Sequence, residues 1–245
     1  MILVELVPRD LEIVTADAKN ILKYYPQVSG INVPDVLRLH NRSWQVADAF
    51  LQKNILIVPH IRSIDHDLKV TVNQISDLVK KGLKHVLIIT GDHPQSVSVE
   101  THPITPMMVV EELKNKHPDL KVYCGLDPYR QSFREEISYC RQKIKAGADG
   151  FFSQPFFDPE LARIYIEQLE AVDLFVGISP VTTEGSFNYW ITRNNAIFPK
   201  NFGLSLEENC EVGRNIMAMA NHHGKSSYLM PIKVDPFEYL KGLFV

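Results

Sequence analysis

The 245-residue sequence has little cysteine, and its cysteines form no motif. The three residues, Cys124, Cys140 and Cys210, are scattered along the chain, without a Cys-x-x-Cys pair or a cluster with histidine. This pattern argues against a disulfide framework or a structural zinc site and is typical of a reducing cytosol. Because the sequence also lacks His-Glu-x-x-His and a second histidine at ligand spacing, we expect no bound metal.

The sequence also lacks strong net charge and long apolar runs. A formal net charge of −3 gives no reason to expect a nucleic-acid partner or binding to an anionic membrane surface. The longest apolar runs have the length of a strand and are far too short to span a bilayer. Glu5 interrupts the apolar N-terminal run that a signal peptide would need. The sequence therefore predicts a cytoplasmic protein without membrane or nucleic-acid partners.

Short β-branched or aromatic runs alternate with amphipathic segments along the chain. The predicted strands are residues 2–7, 29–34, 55–61, 85–90, 121–126, 150–157, 174–181 and 228–234. The predicted helices are residues 15–25, 42–53, 67–81, 106–116, 132–145, 159–171, 187–197 and 206–221, and PFEYLKGLF closes the chain. Eight strands separated by helices predict an α/β fold, a single (β/α)8 TIM barrel over residues 1–245. An open doubly wound sheet would need a glycine-rich turn after the first strand, and VELVPRDLE has no glycine.

Polar residues stand at the ends of several predicted strands, where a barrel builds its active site. VPHIRSID, LIITGDHP and GFFSQPFFD place His60, Asp92 and Gln154 there. Glu5 lies inside the apolar run ILVELV, where a carboxylate is costly unless it is paired or used. Burial should raise its pKa and let it act as a general acid. The alternative is a structural carboxylate that bonds a neighbouring strand.

Each of the other candidates also has a structural alternative. Asp92 follows Gly91, which allows close approach to a ligand, but a Gly-Asp pair also forms ordinary turns. His60 is either a donor or proton relay in a site, or a satisfied structural residue. Gln154 lies within an apolar strand, so we expect a buried amide, which pairs with a heterocycle edge or with neighbouring backbone. Lys143 contacts a phosphate or lies on a solvated helix face.

Taken together, these segments resemble the flavin-dependent methylenetetrahydrofolate reductases. VELVP is similar to the family's Glu-x-x-Pro strand, VPHIRSID to its Pro-His strand, and IITGDHP to its Gly-Asp-x-Pro loop. KIKAGADGFFSQPFFD is the longest similar segment, and GISPV with the following Phe187 also resembles the family pattern. The motifs occur in the family's order through most of the chain.

The resemblance implies a βα barrel that binds FAD at its C-terminal mouth and takes electrons from NADH or NADPH. It implies reduction of the small-molecule substrate 5,10-methylenetetrahydrofolate to 5-methyltetrahydrofolate. Glu5 would be the general acid, and Asp92 would contact the pterin and tune the flavin. Gln154 and Phe187 would bind the folate. The residues expected at the flavin are His60, Thr90, Gly91, Asp92, Asp127, Glu136 and Lys143.

Some positions depart from the family pattern. NVPDVLRLHNRS follows the second strand in place of Thr-Tyr-Gly, Thr90 replaces a common arginine, and GLDPYRQS lacks the histidine of a longer loop. Because several of these positions touch the flavin, direct hydride transfer from NAD(P)H to the folate stays open, as does a non-catalytic folate- or flavin-binding partner subunit. The sequence predicts no regulatory domain and no control by S-adenosylmethionine, and it leaves a homo-oligomer open.

Overall fold

The computed structural model describes residues 1–92 and 100–245, and within them eight parallel strands form one closed barrel. The strands are β1 (Ile2–Glu5), β2 (Gly30–Val33), β3 (Ile57–Arg62), β4 (His85–Ile89), β5 (Lys121–Leu126), β6 (Gly150–Pro155), β7 (Asp173–Ile178) and β8 (Ser226–Leu229). Each strand pairs with the next along the chain, and β8 pairs with β1. The predicted (β/α)8 barrel is confirmed.

Helices cover the outside of the barrel between successive strands. They are α1 (Leu11–Tyr24), α2 (Ser43–Leu51), α3 (Leu68–Lys80), α4 (Pro106–Lys116), α5 (Phe133–Lys145), α6 (Pro159–Gln168), α7 (Glu184–Asn194), α8 (Leu206–His222) and α9 (Pro236–Leu243). A short 3₁₀ helix, Ser63–Asp65, follows β3. None of the helices in the described ranges is long and apolar enough to cross a bilayer.

Capping side chains set the helix starts, and they correct two predictions. α1 begins four residues before the predicted start at residue 15, because the Asp10 carboxylate accepts from the amides of Glu12 and Ile13, each at 2.9 Å. α7 begins at Glu184 and not at residue 187, because the Thr183 hydroxyl accepts from the Ser186 amide at 3.1 Å. An apolar pattern marks a helix face but does not show which polar residue caps it.

The last strand is shorter than predicted at its C-terminal end. β8 stops at Leu229, whereas the apolar run YLMPIKV suggested a strand to residue 234. Pro231 has no N–H for the ladder, and the amide of Ile232 turns back to the carbonyl of Met230 at 2.8 Å. Lys233 then takes a positive φ of 59°. The residues after Leu229 therefore form a loop at the mouth.

The barrel interior is filled by side chains. The interior cluster comprises Leu3, Val58, Leu87, Tyr123, Phe152, Phe175, Tyr228 and Met230. Phe152 and Phe175 stack with ring centroids 4.1 Å apart, and Tyr123 meets both rings edge-on. Because this layer closes the barrel, a ligand would have to bind above it, at the C-terminal ends of the strands.

Candidate functional site

Four polar side chains lie together in the barrel interior, toward the C-terminal ends of β8, β1, β2 and β3. This polar sector consists of Tyr228, Glu5, Asn32 and His60. Glu5 and Asn32 are direct neighbours in the ladder between β1 and β2. The Tyr228 hydroxyl donates to Oε2 of Glu5, and the His60 ring meets the Tyr228 ring edge-on, with 6.4 Å between centroids. The sector joins residues that are more than 200 positions apart in sequence.

Glu5 is held in a state that suits proton donation. Its burial raises the pKa of the carboxyl to about 7, and the hydrogen bond from Tyr228 opposes part of that rise. Taken as a whole, the residue is only partly buried. A carboxyl with this pKa carries a proton in a large fraction of molecules at neutral pH.

Asn32 and His60 place further polar atoms in the same sector. Ile31 and Val33 face the core between strands and helices, so the alternation of β2 turns Asn32 into the barrel. Among the described residues, neither Nδ2 nor Oδ1 of Asn32 has a hydrogen-bond partner, and Nε2 of His60 has none. Each such buried atom costs about 1–3 kcal/mol. A ligand or water would relieve that cost, which makes the sector a candidate binding site.

His60 acts here as a neutral ring. Burial lowers the pKa of its imidazole to about 3, so the ring carries no charge at neutral pH. Its backbone is fixed, because the Ser43 hydroxyl donates to the His60 carbonyl oxygen. The ring is therefore suited to hydrogen bonding with an uncharged heterocycle. Because it carries no positive charge, it does not form an ion pair with a phosphate.

The turn after β4 is held by a buried arginine of the neighbouring strand. Nη2 of Arg62 donates to the carbonyl oxygen of Asp92 at 2.5 Å, and Nε of Arg62 pairs with Asp65 at 3.0 Å. Gly91 has a φ of +85°, and a Cβ at this position would lie 2.5 Å from Cζ of Arg62. Thr90 and Asp92 are exposed at the mouth. The last two residues of the GDHP segment, His93 and Pro94, lie outside the described residues.

Gln154 and Phe187 belong to the opposite side of the mouth. Gln154 is exposed near the end of β6, so the expectation of a buried amide is wrong. The residue follows Phe152 along the strand and therefore lies above the packed interior. Phe187 is half-buried in the first turns of α7 and packs on Phe198 and Phe202, with centroids 4.6 and 6.3 Å away. The mouth thus has a polar side formed by β8 and β1–β4 and an aromatic side at β6 and β7.

The candidates after β5 are engaged in internal contacts. The Glu136 carboxylate is fully buried and accepts from the Asp127 amide at 3.1 Å, from Arg130 at 2.8 Å and from Gln131 at 2.7 Å. These bonds fix the loop between β5 and α5. Asp127 is half-buried, and Oδ1 accepts from the Tyr129 amide at 3.0 Å.

Lys143 is also internal. Its Nζ donates to the Gly125 carbonyl at 2.7 Å and lies 3.9 Å from the centre of the Tyr139 ring. Burial lowers the pKa of this amine. The lysine therefore packs α5 against β5 on the outer side of the sheet and does not lie on a solvated helix face.

The structure thus brings Glu5 and His60 together in the interior and places Thr90, Gly91, Asp92, Asp127 and Gln154 at or just after strand ends. Sequence reasoning did not assign Asn32, Arg62 or Tyr228 to the site. Asn32 had a visible signal, since it is a polar residue inside the apolar strand GINV. The described residues contain no group of three or more histidine, cysteine, aspartate or glutamate side chains placed to hold a metal.

Comparison with protein families shows the ancestry of this barrel. The family model for methylenetetrahydrofolate reductase matches residues 17–219, which is most of the chain. The chain belongs to the methylenetetrahydrofolate reductase family. The resemblance carried by its sequence motifs is confirmed.

Individual relatives are distant. A 5,10-methylenetetrahydrofolate reductase of Pectobacterium carotovorum subsp. carotovorum is 23% identical over 146 residues, which span 58% of this chain and 49% of that protein. The match therefore covers about half the length of this curated relative.

Solved structures outside the family share the barrel. A 2,3-dimethylmalate lyase of the PEP mutase/isocitrate lyase superfamily superimposes with a TM-score of 0.63 at 12% identity, over 95% of this chain and 76% of that chain. An oxaloacetate acetylhydrolase gives a TM-score of 0.60 at 10% identity, over 94% and 75% of the two chains. At such low identity the likeness shows the fold alone.

Proposed function

We propose that this chain reduces 5,10-methylenetetrahydrofolate to 5-methyltetrahydrofolate, with NADH or NADPH as the electron donor. The observation that carries the proposal is the carboxyl of Glu5, buried in the barrel of a chain of this family with a pKa of about 7. Such a carboxyl holds a proton at neutral pH and releases it readily to a basic nitrogen, as a general acid must.

In the proposed reaction Glu5 donates its proton to a nitrogen of the imidazolidine ring. The bond between that nitrogen and the bridging methylene carbon breaks, its electron pair stays on the nitrogen, and an iminium carbon remains. Hydride adds to this carbon and forms the methyl group. Glu5 is left as a carboxylate and would regain a proton from the side of the mouth.

The substrate would bridge the polar and aromatic sides of the mouth. The amide of Asn32 offers one donor and one acceptor group that have no partner among the described residues. We propose that these atoms, with the exposed Gln154 and Asp92, bind the edge of the pterin. Phe187 would cover one of its faces, since its side chain is only partly buried.

The residues of the mouth fit FAD in part. Nε2 of His60 has no partner in the described part of the chain, and the side chains of Thr90 and Asp92 are exposed. These three residues would hold the ring system of a flavin. Glu136 and Lys143 do not fit, because their polar atoms are engaged inside the fold. When bound, FAD supplies a two-electron carrier between the nicotinamide nucleotide and the folate.

The engaged state of Glu136 and Lys143 favours a second candidate, in which hydride passes directly from the nicotinamide nucleotide to the folate. In both schemes Glu5 donates the proton that opens the imidazolidine ring, since the ring must open before the methylene carbon accepts hydride. The two schemes differ only in whether the barrel must hold a flavin.

Two measurements on the purified chain test the proposal. A visible absorption spectrum, taken after incubation with excess FAD and desalting, shows whether flavin stays bound. Oxidation of NADH or NADPH that depends on methylenetetrahydrofolate shows the reaction. Retained flavin with turnover supports the FAD scheme, and turnover without flavin supports direct transfer. Folate binding without turnover under either condition would contradict the proposal and favour a non-catalytic partner subunit.

A further inference from the structure

The hydroxyl of Tyr228 is the donor that the structure gives to the Glu5 carboxyl. Leu3 on β1 is paired with Tyr228 on β8, so the tyrosine side chain starts one layer below Glu5 and extends toward it. The hydroxyl donates to Oε2 of Glu5. The ring is 4% exposed and is held edge-on by Phe152, with 5.3 Å between centroids, and by His60. The phenol therefore has little freedom to move away from the carboxyl.

We propose that Tyr228 is a positioning residue, whose hydroxyl fixes the orientation of the Glu5 carboxyl and favours its carboxylate form. This inference rests on the proposed function, because it assigns to Tyr228 the control of the acid used there. A fixed carboxyl aims its proton at one substrate nitrogen, and a donor to the carboxylate eases proton release.

The other groups that face Glu5 are neutral. Asn32 from β2 has no ionisable group, and His60 from β3 is uncharged because burial lowers its pKa to about 3. Tyr228 from β8 keeps its proton, because burial raises the pKa of its phenol. No lysine or arginine of the described residues forms an ion pair with Glu5. The tyrosine hydroxyl is thus the main polar influence that favours the carboxylate.

The Tyr228→Phe variant tests the inference, since it removes the hydroxyl and keeps the ring. The Glu5 carboxyl is titrated directly by NMR of protein labelled with ¹³C at glutamate carboxyls, and its signal is assigned by its loss in Glu5→Gln. We expect the variant to raise the pKa of Glu5 by about one unit. The rate of the folate step should fall by about tenfold or more at its acidic plateau, and its alkaline limb should move to higher pH.

Tyr123→Phe is the matched control. Tyr123 belongs to the same interior cluster and also meets Phe152 edge-on, but its hydroxyl contacts His85 and Asp173, each at 3.5 Å. These partners lie at the first residues of β4 and β7, at the opposite end of the barrel from Glu5. This variant should leave the titration of Glu5 and the pH profile unchanged.

The outcomes separate the two proposals. Turnover by the wild-type chain, with a Glu5 titration and a plateau rate that are both unchanged in Tyr228→Phe, overturns the role of Tyr228 alone. Equal shifts in Tyr228→Phe and Tyr123→Phe also overturn it, since they would reflect a general loosening of the interior. Absence of folate turnover by the wild-type chain overturns the proposed function whatever the titration shows.

Discussion

Arg62 and Asp92 are joined across two neighbouring strand ends, with 2.5 Å between Nη2 of the arginine and the carbonyl oxygen of the aspartate. The same guanidinium pairs with Asp65, and Asp65 also binds Arg42 at 2.5 Å. Arg42 in turn donates two hydrogen bonds to the Asp35 carboxylate, at 2.7 and 2.5 Å. This charge-balanced series of ion pairs and hydrogen bonds connects the loops that follow β2, β3 and β4.

Arg62, a member of this series, lies next to a position that departs from the family pattern. Thr90 stands where an arginine is common before Gly-Asp, yet a guanidinium still lies against Gly91, supplied by Arg62 from β3. The position of the Asp92 backbone therefore depends on a residue from a different strand.

Gly91→Ala should damage the site more than the strain of its backbone alone explains. The new Cβ would meet the Arg62 guanidinium at 2.5 Å, so either the arginine or the Asp92 loop must move. We expect folate affinity or turnover to fall by about 10- to 100-fold, because a displacement of about 1 Å in a site can cost up to about 10²-fold. Steady-state kinetics with methylenetetrahydrofolate measure this.

Gly82→Ala is the control for that variant. Gly82 also has a positive φ, of +102°, but a Cβ there has open space around it. It should cost about 1 kcal/mol of stability and leave the kinetics unchanged. Equal kinetic effects of the two substitutions would show that the contact between Arg62 and Gly91 does not matter for the site.

Asn32→Leu should make the protein more stable and the site weaker. The substitution removes two buried polar atoms that have no partner among the described residues, so the free energy of unfolding should rise by about 1 kcal/mol. Folate affinity should fall by about tenfold, because the amide could no longer bind the pterin edge. Denaturant unfolding and equilibrium folate binding test the two parts separately.

Asn209→Leu is the same substitution at another buried asparagine, but we expect it to lower the stability of the protein. Asn209 is also buried, but its Oδ1 accepts from the Val181 amide at 2.9 Å, and its Nδ2 lies within hydrogen-bond distance of three carbonyl oxygens. Its replacement should lower the free energy of unfolding by about 3 kcal/mol. If Asn32→Leu destabilises the protein as much as Asn209→Leu does, Asn32 is a structural residue and its place in the site is wrong.

Glu5→Gln should change how stability depends on pH. The folded-state pKa of about 7 lies above the ordinary value of 4.5, so the native state binds the Glu5 proton more tightly than the unfolded state does. The stabilisation from this proton is complete below about pH 4.5 and is lost as the pH rises through about 7. Glutamine mimics the protonated carboxyl and does not titrate.

The variant and the wild-type protein should therefore be similarly stable near pH 4.5, and the variant should be more stable above pH 7. The difference has an upper limit of about 3 kcal/mol, because each pKa unit corresponds to about 1.4 kcal/mol and part of the residue reaches solvent. Urea unfolding at both ends of this range measures it. A constant difference across the range would mean that Glu5 titrates normally.

The fold and part of the candidate site could be predicted from the sequence because their signals are local. Apolar runs of strand length and their spacing predict the barrel, and Glu5 stands out as a carboxyl within such a run. Tyr228 and Arg62 could not be assigned, since each acts on a residue of another strand and only the closed barrel brings the partners together. Gln154 was expected to be buried, because a single strand does not show where the interior ends.

The general-acid role of Glu5 is the central claim, and product formation tests it most directly. Purified wild-type and Glu5→Gln chains would be given methylenetetrahydrofolate with NADH or NADPH, with and without FAD, and 5-methyltetrahydrofolate would be quantified chromatographically. We expect the wild type to form product, and the variant to bind folate normally but form product more slowly by about 10²–10⁴-fold. Product formed by Glu5→Gln at the wild-type rate, or no product from the wild-type chain under any of these conditions, would contradict the account.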